Sequence, residues 1–210
     1  MFILHGPGHD RLAALSIGTG RVAVVLAHQS SGSLCQWWPY ARTLADRFRV
    51  VAFDFDGAGA SPYGDGNYPG EVAAAAGWAR DHDSRKIVLM GASMGGTAVV
   101  VAAAHLGGSV AGVIDLSGPA DFAGMNALGA ARRVHVPALF GYGTLDQGFA
   151  SEKRQVHFIR ARIVFEHKIN GSDTCFRLHV FFRRPEIPLL SVTICATQVT
   201  FLRNREGYSR

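Results

Sequence analysis

KIVLMGASMGGTAVVVAAAHL, residues 86–106, is the stretch whose reading decides the fold. Its short apolar run Ile87-Val88-Leu89-Met90 has the character of a strand buried on both faces. The run stops at Gly91-Ala92-Ser93-Met94-Gly95, and an apolar stretch of helical length follows at once. The pattern predicts strand, abrupt turn and helix, with a single hydroxyl, Ser93, at the apex. A strand that becomes a helix through one residue needs strained backbone angles and close chain approach. Small residues two before and two after the serine make that possible. Ser93 then stands at a helix N-terminus, where free N–H groups and the helix dipole favour negative charge.

Working outward, Arg21–Ala27 (RVAVVLA) predicts a buried parallel strand. Cys35–Phe48 predicts a helix, with Trp37, Ala41, Leu44 and Phe48 on one stripe. Pro39 is tolerated only in a first turn, which sets the start near Trp37 or Trp38. Val50–Phe55 follows as a strand, then Glu71–Arg80 as a helix with Val72, Ala75, Ala76 and Ala79 on one face. Residues 1–20 read as loop around a weak strand, Leu12–Ile17. Beyond the quoted stretch come a strand at Val110–Leu116, an irregular segment through Leu128, and a strand at Val136–Phe140. Strands alternating with crossovers of this length predict an α/β fold, a doubly wound and mostly parallel sheet with helices on both faces. Such sheets bind ligands at the carboxyl ends of their strands. His28, Asp54, Ser93, Ser117 and Asp146 all fall there.

Composition bounds the rest. A chain of 210 residues, 48% apolar and 18% charged, suffices for one substantial core. Residues 1–150 carry 10 Lys+Arg against 11 Asp+Glu, whereas residues 151–210 carry 11 against 5. The net charge of +5 therefore belongs to the second part, and 23 of the 25 glycines belong to the first. That basic part also holds six phenylalanines, but its only adjacent basic pairs are Lys153-Arg154 and Arg183-Arg184. Without a recognised module this argues against nucleic acid as a partner. Cys35, Cys175 and Cys195 are an odd number with no C-x-x-C pair, which argues against a disulfide framework or zinc site and for a reducing, cytoplasmic setting. No apolar run is long enough to span a bilayer, and the N-terminus lacks a signal-peptide pattern.

With its strand and helix in place, Gly91–Gly95 matches the G-x-S-x-G nucleophile elbow, and residues 10–150 resemble the α/β-hydrolase family. Asp54–Ser61 resembles that family's Asp-x-Arg-Gly-x-Gly-x-Ser loop, with Asp56 in place of the arginine. It fails as a dinucleotide fingerprint, because Pro62 stands where a third glycine is required, and a tight turn is its expected job. The resemblance implies a serine hydrolase that cleaves small carboxylic esters through an acyl-enzyme, with no cofactor and no metal. Ser93 would attack the carbonyl, and the backbone N–H groups of Met94 and Ser30 would bind the oxyanion. Ser30 follows from His28-Gln29-Ser30, where the family has His-Gly and then the donor; His28 itself reads as a hydrogen-bonded loop organiser. Asp146, after the strand Val136–Phe140, stands where the family places its orienting acid, with Asp121 as competitor. Only 53 residues separate Ser93 from Asp146, leaving no room for a lid domain.

The base is the departure. Arg162–Phe165 can be the family's last strand, and in the loop Glu166–Asp173 the expected histidine position holds Asn170. An amide cannot accept a proton at neutral pH. His167, three residues earlier, is the residue assigned as base, with His179 and His157 as other candidates. The opposing reading is a catalytically impaired hydrolase-fold protein with a binding role. The resemblance places a hydrolase-like domain at residues 1–175. Residues 176–210 are a divergent basic extension, not a separate domain, with strands expected at Leu190–Ala196 and Gln198–Leu202.

Overall fold

The computed structural model describes residues 1–141 and, as backbone, the strands Cys175–Val180 and Leu190–Cys195. Seven strands form the main sheet: β1 (Phe2–His5), β2 (Arg11–Ile17), β3 (Val22–Ala27), β4 (Arg49–Phe53), β5 (Lys86–Ala92), β6 (Gly112–Leu116) and a last strand, Ala138–Gly141. Between the last two, a small hairpin pairs β7 (Asp121–Phe122) with β8 (Met125–Asn126), so the last strand is β9. The order across the sheet is β1-β2-β4-β3-β5-β6-β9. From β4 to β9 every neighbour is parallel, while β1 and β2 run antiparallel at one flank. This is the mostly parallel α/β sheet that the alternating pattern predicts.

Both faces are covered because both faces are apolar. In β3, Ala23, Val25 and Ala27 point to one side and Val22, Val24 and Leu26 to the other. The first side packs against α2 (Tyr68–Asp81), α3 (Met94–Leu106) and α4 (Ala127–Ala131); the second packs against Leu34–Trp37, a 3-10 turn, and α1 (Trp38–Leu44). Pro39 sits in the first turn of α1, as its missing N–H demands. Each large side chain taken fully out of water, such as Leu26, Phe53 or Leu89, contributes about 1.5–3 kcal/mol.

Two regions differ from expectation. Residues 1–20 hold two paired strands: β2 is the strand expected at Leu12–Ile17, and β1, paired with it, stands where loop was expected. β1 escapes notice because only Leu4 of its four residues is buried, too little for an alternating pattern to show. The segment through Leu128 contains the β7–β8 hairpin and α4, whose five residues include Gly129. Its capping signal is Asn126, whose side chain accepts the Gly129 N–H. In the C-terminal part, β10 (Cys175–Val180) pairs antiparallel with β11 (Leu190–Cys195). The second matches the strand expected at Leu190–Ala196; the first was not anticipated. Arg162–Phe165 and Gln198–Leu202 lie outside the described residues.

Candidate active site

The chain leaves β3 for α1 on one face, returns as β4, and crosses to α2 on the other face before entering β5 on the far side of β3. The strand order reverses between β3 and β5, and in open α/β sheets that switch point opens a crevice at the strands' carboxyl ends. Ser93 follows β5 there, and the loop His28–Gly32 follows β3.

Ser93 has φ 50° and ψ −120°, between the end of β5 and the first residue of α3. A residue with a side chain held in that region costs on the order of 1–3 kcal/mol and persists only where its surroundings enforce it. The surroundings do. The Ser93 N–H donates to Leu116 O of the neighbouring strand (2.8 Å), and Ser93 O accepts from Thr97 N–H in the first turn of α3 (3.0 Å). Any side chain at Gly91 would collide with the Gly95 carbonyl, and one at Gly95 would collide with the carbonyls of Ala27 and His28. Ser93 is half-buried, with its flanks closed by backbone.

Met94 opens α3, so its N–H belongs to the first turn, where amides have no intrahelical acceptor. Ser30 lies in an exposed turn closed by Gly32 N–H donating to Gln29 O (3.0 Å), next to Ser31 with φ 57°. Its loop meets the elbow directly, since the His28 carbonyl packs on Gly95.

His28 is buried, and both ring nitrogens are engaged: Nδ1 donates to Gln29 O (2.7 Å) and Nε2 accepts the Phe55 N–H (3.0 Å). Burial pushes its pKa down, outweighing the Gln29 bond and the nearby Asp54 charge that raise it. A neutral ring with no free nitrogen ties the loop after β3 to the loop after β4, the organiser's role the sequence predicts. Asp54 does the same from the other side. Its Oδ1 accepts Leu34 N–H (2.6 Å) and its Oδ2 accepts Ala60 N–H (2.8 Å), while Ser61 Oγ donates to Asp54 O (2.7 Å).

Behind the elbow, Asp115 of β6 is buried against Gly96 and Gly118, and its Oδ1 accepts the Gly118 N–H (2.7 Å). Thr97 Oγ1 donates to Pro119 O (2.8 Å), pinning α3 to the same loop. Sequence pattern missed Asp115, which reads as one more residue of a strand. Asp121 lies exposed in the β7–β8 hairpin. Asp146, His157, His167 and Asn170 fall outside the described residues, and His179 lies in β10, where only the backbone is described. The described residues thus bring together Ser93, Met94 and the Ser30 loop. A second polar group, Asp10, Asp56 and Asp65, gathers carboxylate oxygens within 4.8 Å of one another beyond β4. Among the described residues no helix is long and apolar enough to cross a membrane.

A model of the α/β-hydrolase fold matches residues 22–177. No curated protein matches the chain by sequence. Among solved structures, an esterase of Pyrococcus furiosus is similar with a TM-score of 0.65 at 18% identity, over 74% of each chain. The enol-lactonase of Burkholderia xenovorans is similar with a TM-score of 0.61 at 17% identity, over 73% of this chain and 86% of that one. A protein of Butyrivibrio proteoclasticus solved with ferulic acid is similar with a TM-score of 0.63 at 16% identity, over 73% and 83%. At such identities the likeness speaks to the fold, and together with the sequence match across most of its length it means that this chain belongs to the α/β-hydrolase family.

Proposed function

We propose that this chain is a serine hydrolase that cleaves small carboxylic esters through an acyl-enzyme. The observation that carries the reading is the strained elbow: Ser93 at φ 50°, walled by Gly91 and Gly95, at the head of α3. Strain of this kind persists only where the surroundings enforce it, and an elbow of this form lifts Oγ out of both strand and helix. In the proposed reaction Ser93 Oγ attacks the ester carbonyl. The N–H groups of Met94 and Ser30 stabilise the oxyanion, His167 takes and returns the proton, and Asp146 orients it. The esterase and the enol-lactonase among the structural neighbours support that substrate class. The cysteine pattern supports a reducing, cytoplasmic setting. Residues 1–175 would form the hydrolase unit and 176–210 its extension.

A fluorophosphonate probe tests the nucleophile. Stoichiometric labelling of the folded protein, mapped to Ser93 and lost in Ser93→Ala, is the expected result; labelling that survives Ser93→Ala would remove the proposal. For the base, His167→Ala should depress ester turnover on the order of 10⁴–10⁶-fold, with His157→Ala and His179→Ala close to wild type.

A further inference from the structure

A second strained serine stands beside Ser93. Ser117, the residue after β6, has φ 54°. β6 neighbours β5 on the side away from β3, and their shared ladder ends with Ala92 opposite Leu116. The bond from Ser93 N–H to Leu116 O is the next rung, the one a parallel pair makes when Ser93 stands opposite Ser117. Neighbouring strands lie about 4.8 Å apart, which sets the spacing of the two serines. Ser117 is fixed from both sides. Its N–H donates to Gly141 O at the end of β9 (2.7 Å), and the following amide, Gly118 N–H, is taken by the buried Asp115 carboxylate (2.7 Å). Backbone outliers of this kind persist only where neighbours enforce them, and they cluster at ligand and active sites. Ser117 is half-buried, and none of the described hydrogen bonds uses its Oγ.

We propose that Ser117 is a specificity-determining residue of the same site, its hydroxyl hydrogen-bonding a polar group close to the ester of the substrate, a role that rests on the serine-hydrolase reading of Ser93. Both oxyanion donors of that reading lie on the β3 side of Ser93 or on its own helix. Ser30 is in the loop after β3, whose His28 carbonyl packs on Gly95, and Met94 heads α3. A carbonyl oxygen turned toward them leaves the acyl and alkoxy substituents of the same carbon to the other sides, and β6 borders one of these. With about 4.8 Å between the strands, the Ser117 hydroxyl comes within hydrogen-bond reach of an atom one or two bonds beyond the reacting carbon. A hydroxyl both donates and accepts, so an ether, hydroxyl or carbonyl oxygen can pair with it. The substrates that fit are esters with an oxygen substituent close to the ester group, in the acid or in the alcohol, ahead of plain alkyl esters of the same size.

Two pairs of matched esters test it with the full chain: 4-nitrophenyl methoxyacetate against 4-nitrophenyl butyrate, and 2-hydroxyethyl butyrate against propyl butyrate. Within each pair an oxygen replaces a carbon of similar size, so the ratio of kcat/KM reads the polar contact. Comparing that ratio between wild type and variant cancels the intrinsic reactivity of the esters. Ser117→Ala and Ser117→Gly, the second of which also relieves the positive φ, should lower the ratio about 2–10-fold in at least one pair, the size of one lost hydrogen bond. Both variants should still be labelled at Ser93 by the fluorophosphonate probe, which reports an intact elbow. Ratios unchanged in both pairs, with Ser93 labelled, would overturn the role of Ser117 and leave the hydrolase reading standing. Loss of labelling in both variants would make Ser117 a structural part of the elbow and overturn the role as well. A wild type that the probe does not label would remove the hydrolase reading and the role of Ser117 together.

Discussion

Glu71→Gln is the substitution with the most to say about the acidic group. Glu71 is buried with one oxygen on the Asp56 N–H and the other unpartnered. Burial, and then the charges of Asp56, Asp10 and Asp65, push its pKa from 4.5 up to about 8; Tyr68 is the other titratable group that feels its charge. The folded chain therefore holds a proton, between pH 4.5 and about 8, that the unfolded chain gives up. The contribution is fully present below pH 4.5 and is lost as pH rises through about 8, after which it levels off. At about 1.36 kcal/mol per pH unit, that interval sets a ceiling of about 5 kcal/mol. Solvent around the half-exposed aspartates screens part of it, so a loss of about 2 kcal/mol is expected. Urea unfolding from pH 5 to 9 in chelator measures it. The wild type should lose stability across that range, while Glu71→Gln, which carries no proton to lose and keeps an acceptor for the Asp56 N–H, should stay nearly flat and overtake it near neutrality. Parallel curves for the two proteins in chelator would refute the reasoning.

Ser93→Gly should be more stable than Ser93→Ala by about 1 kcal/mol, because glycine relieves the positive φ at the cost of some unfolded-state entropy; chemical denaturation compares them. Gly95→Ala drives a methyl into the Ala27 and His28 carbonyls and should destabilise by about 1–3 kcal/mol in the same assay, with probe labelling reduced. Asp54→Ala strips two charge-assisted bonds from Leu34 and Ala60 N–H and should cost roughly 3 kcal/mol, read as a lowered melting temperature.

What the sequence discloses is what is local. The elbow announces itself because strand, small residues and helix are contiguous, and the parallel strands do so because both their faces are apolar. β1 and α4 stay hidden because they are short and only partly buried. The role of His28 was legible from its position, but its two partners, Gln29 O and Phe55 N–H, depend on how β3 and β4 pair. The acidic group was not legible at all. Asp10 and Glu71 are 61 positions apart and meet only through the β2–β4 pairing and the return of α2. Its one sequence trace is Asp56 standing where the family motif carries arginine, which exchanges a resident cation for a fourth negative charge.

The central place of β3 has a consequence for how the chain is made. Val22–Ala27, VAVVLA, is uncharged, rich in β-branched residues and free of proline and glycine, the composition of segments that stack edge to edge between molecules. Its partner on one side, β4, ends 26 residues later, and its partner on the other, β5, ends 65 residues later. At a synthesis rate of about 5–20 residues per second, the second edge of this strand waits about 3–13 s for its neighbour. During that interval the positive charge of Arg21 is the nearest obstacle to self-association, so a neutral residue at position 21 should lower the soluble yield of a protein whose folded state scarcely notices the change.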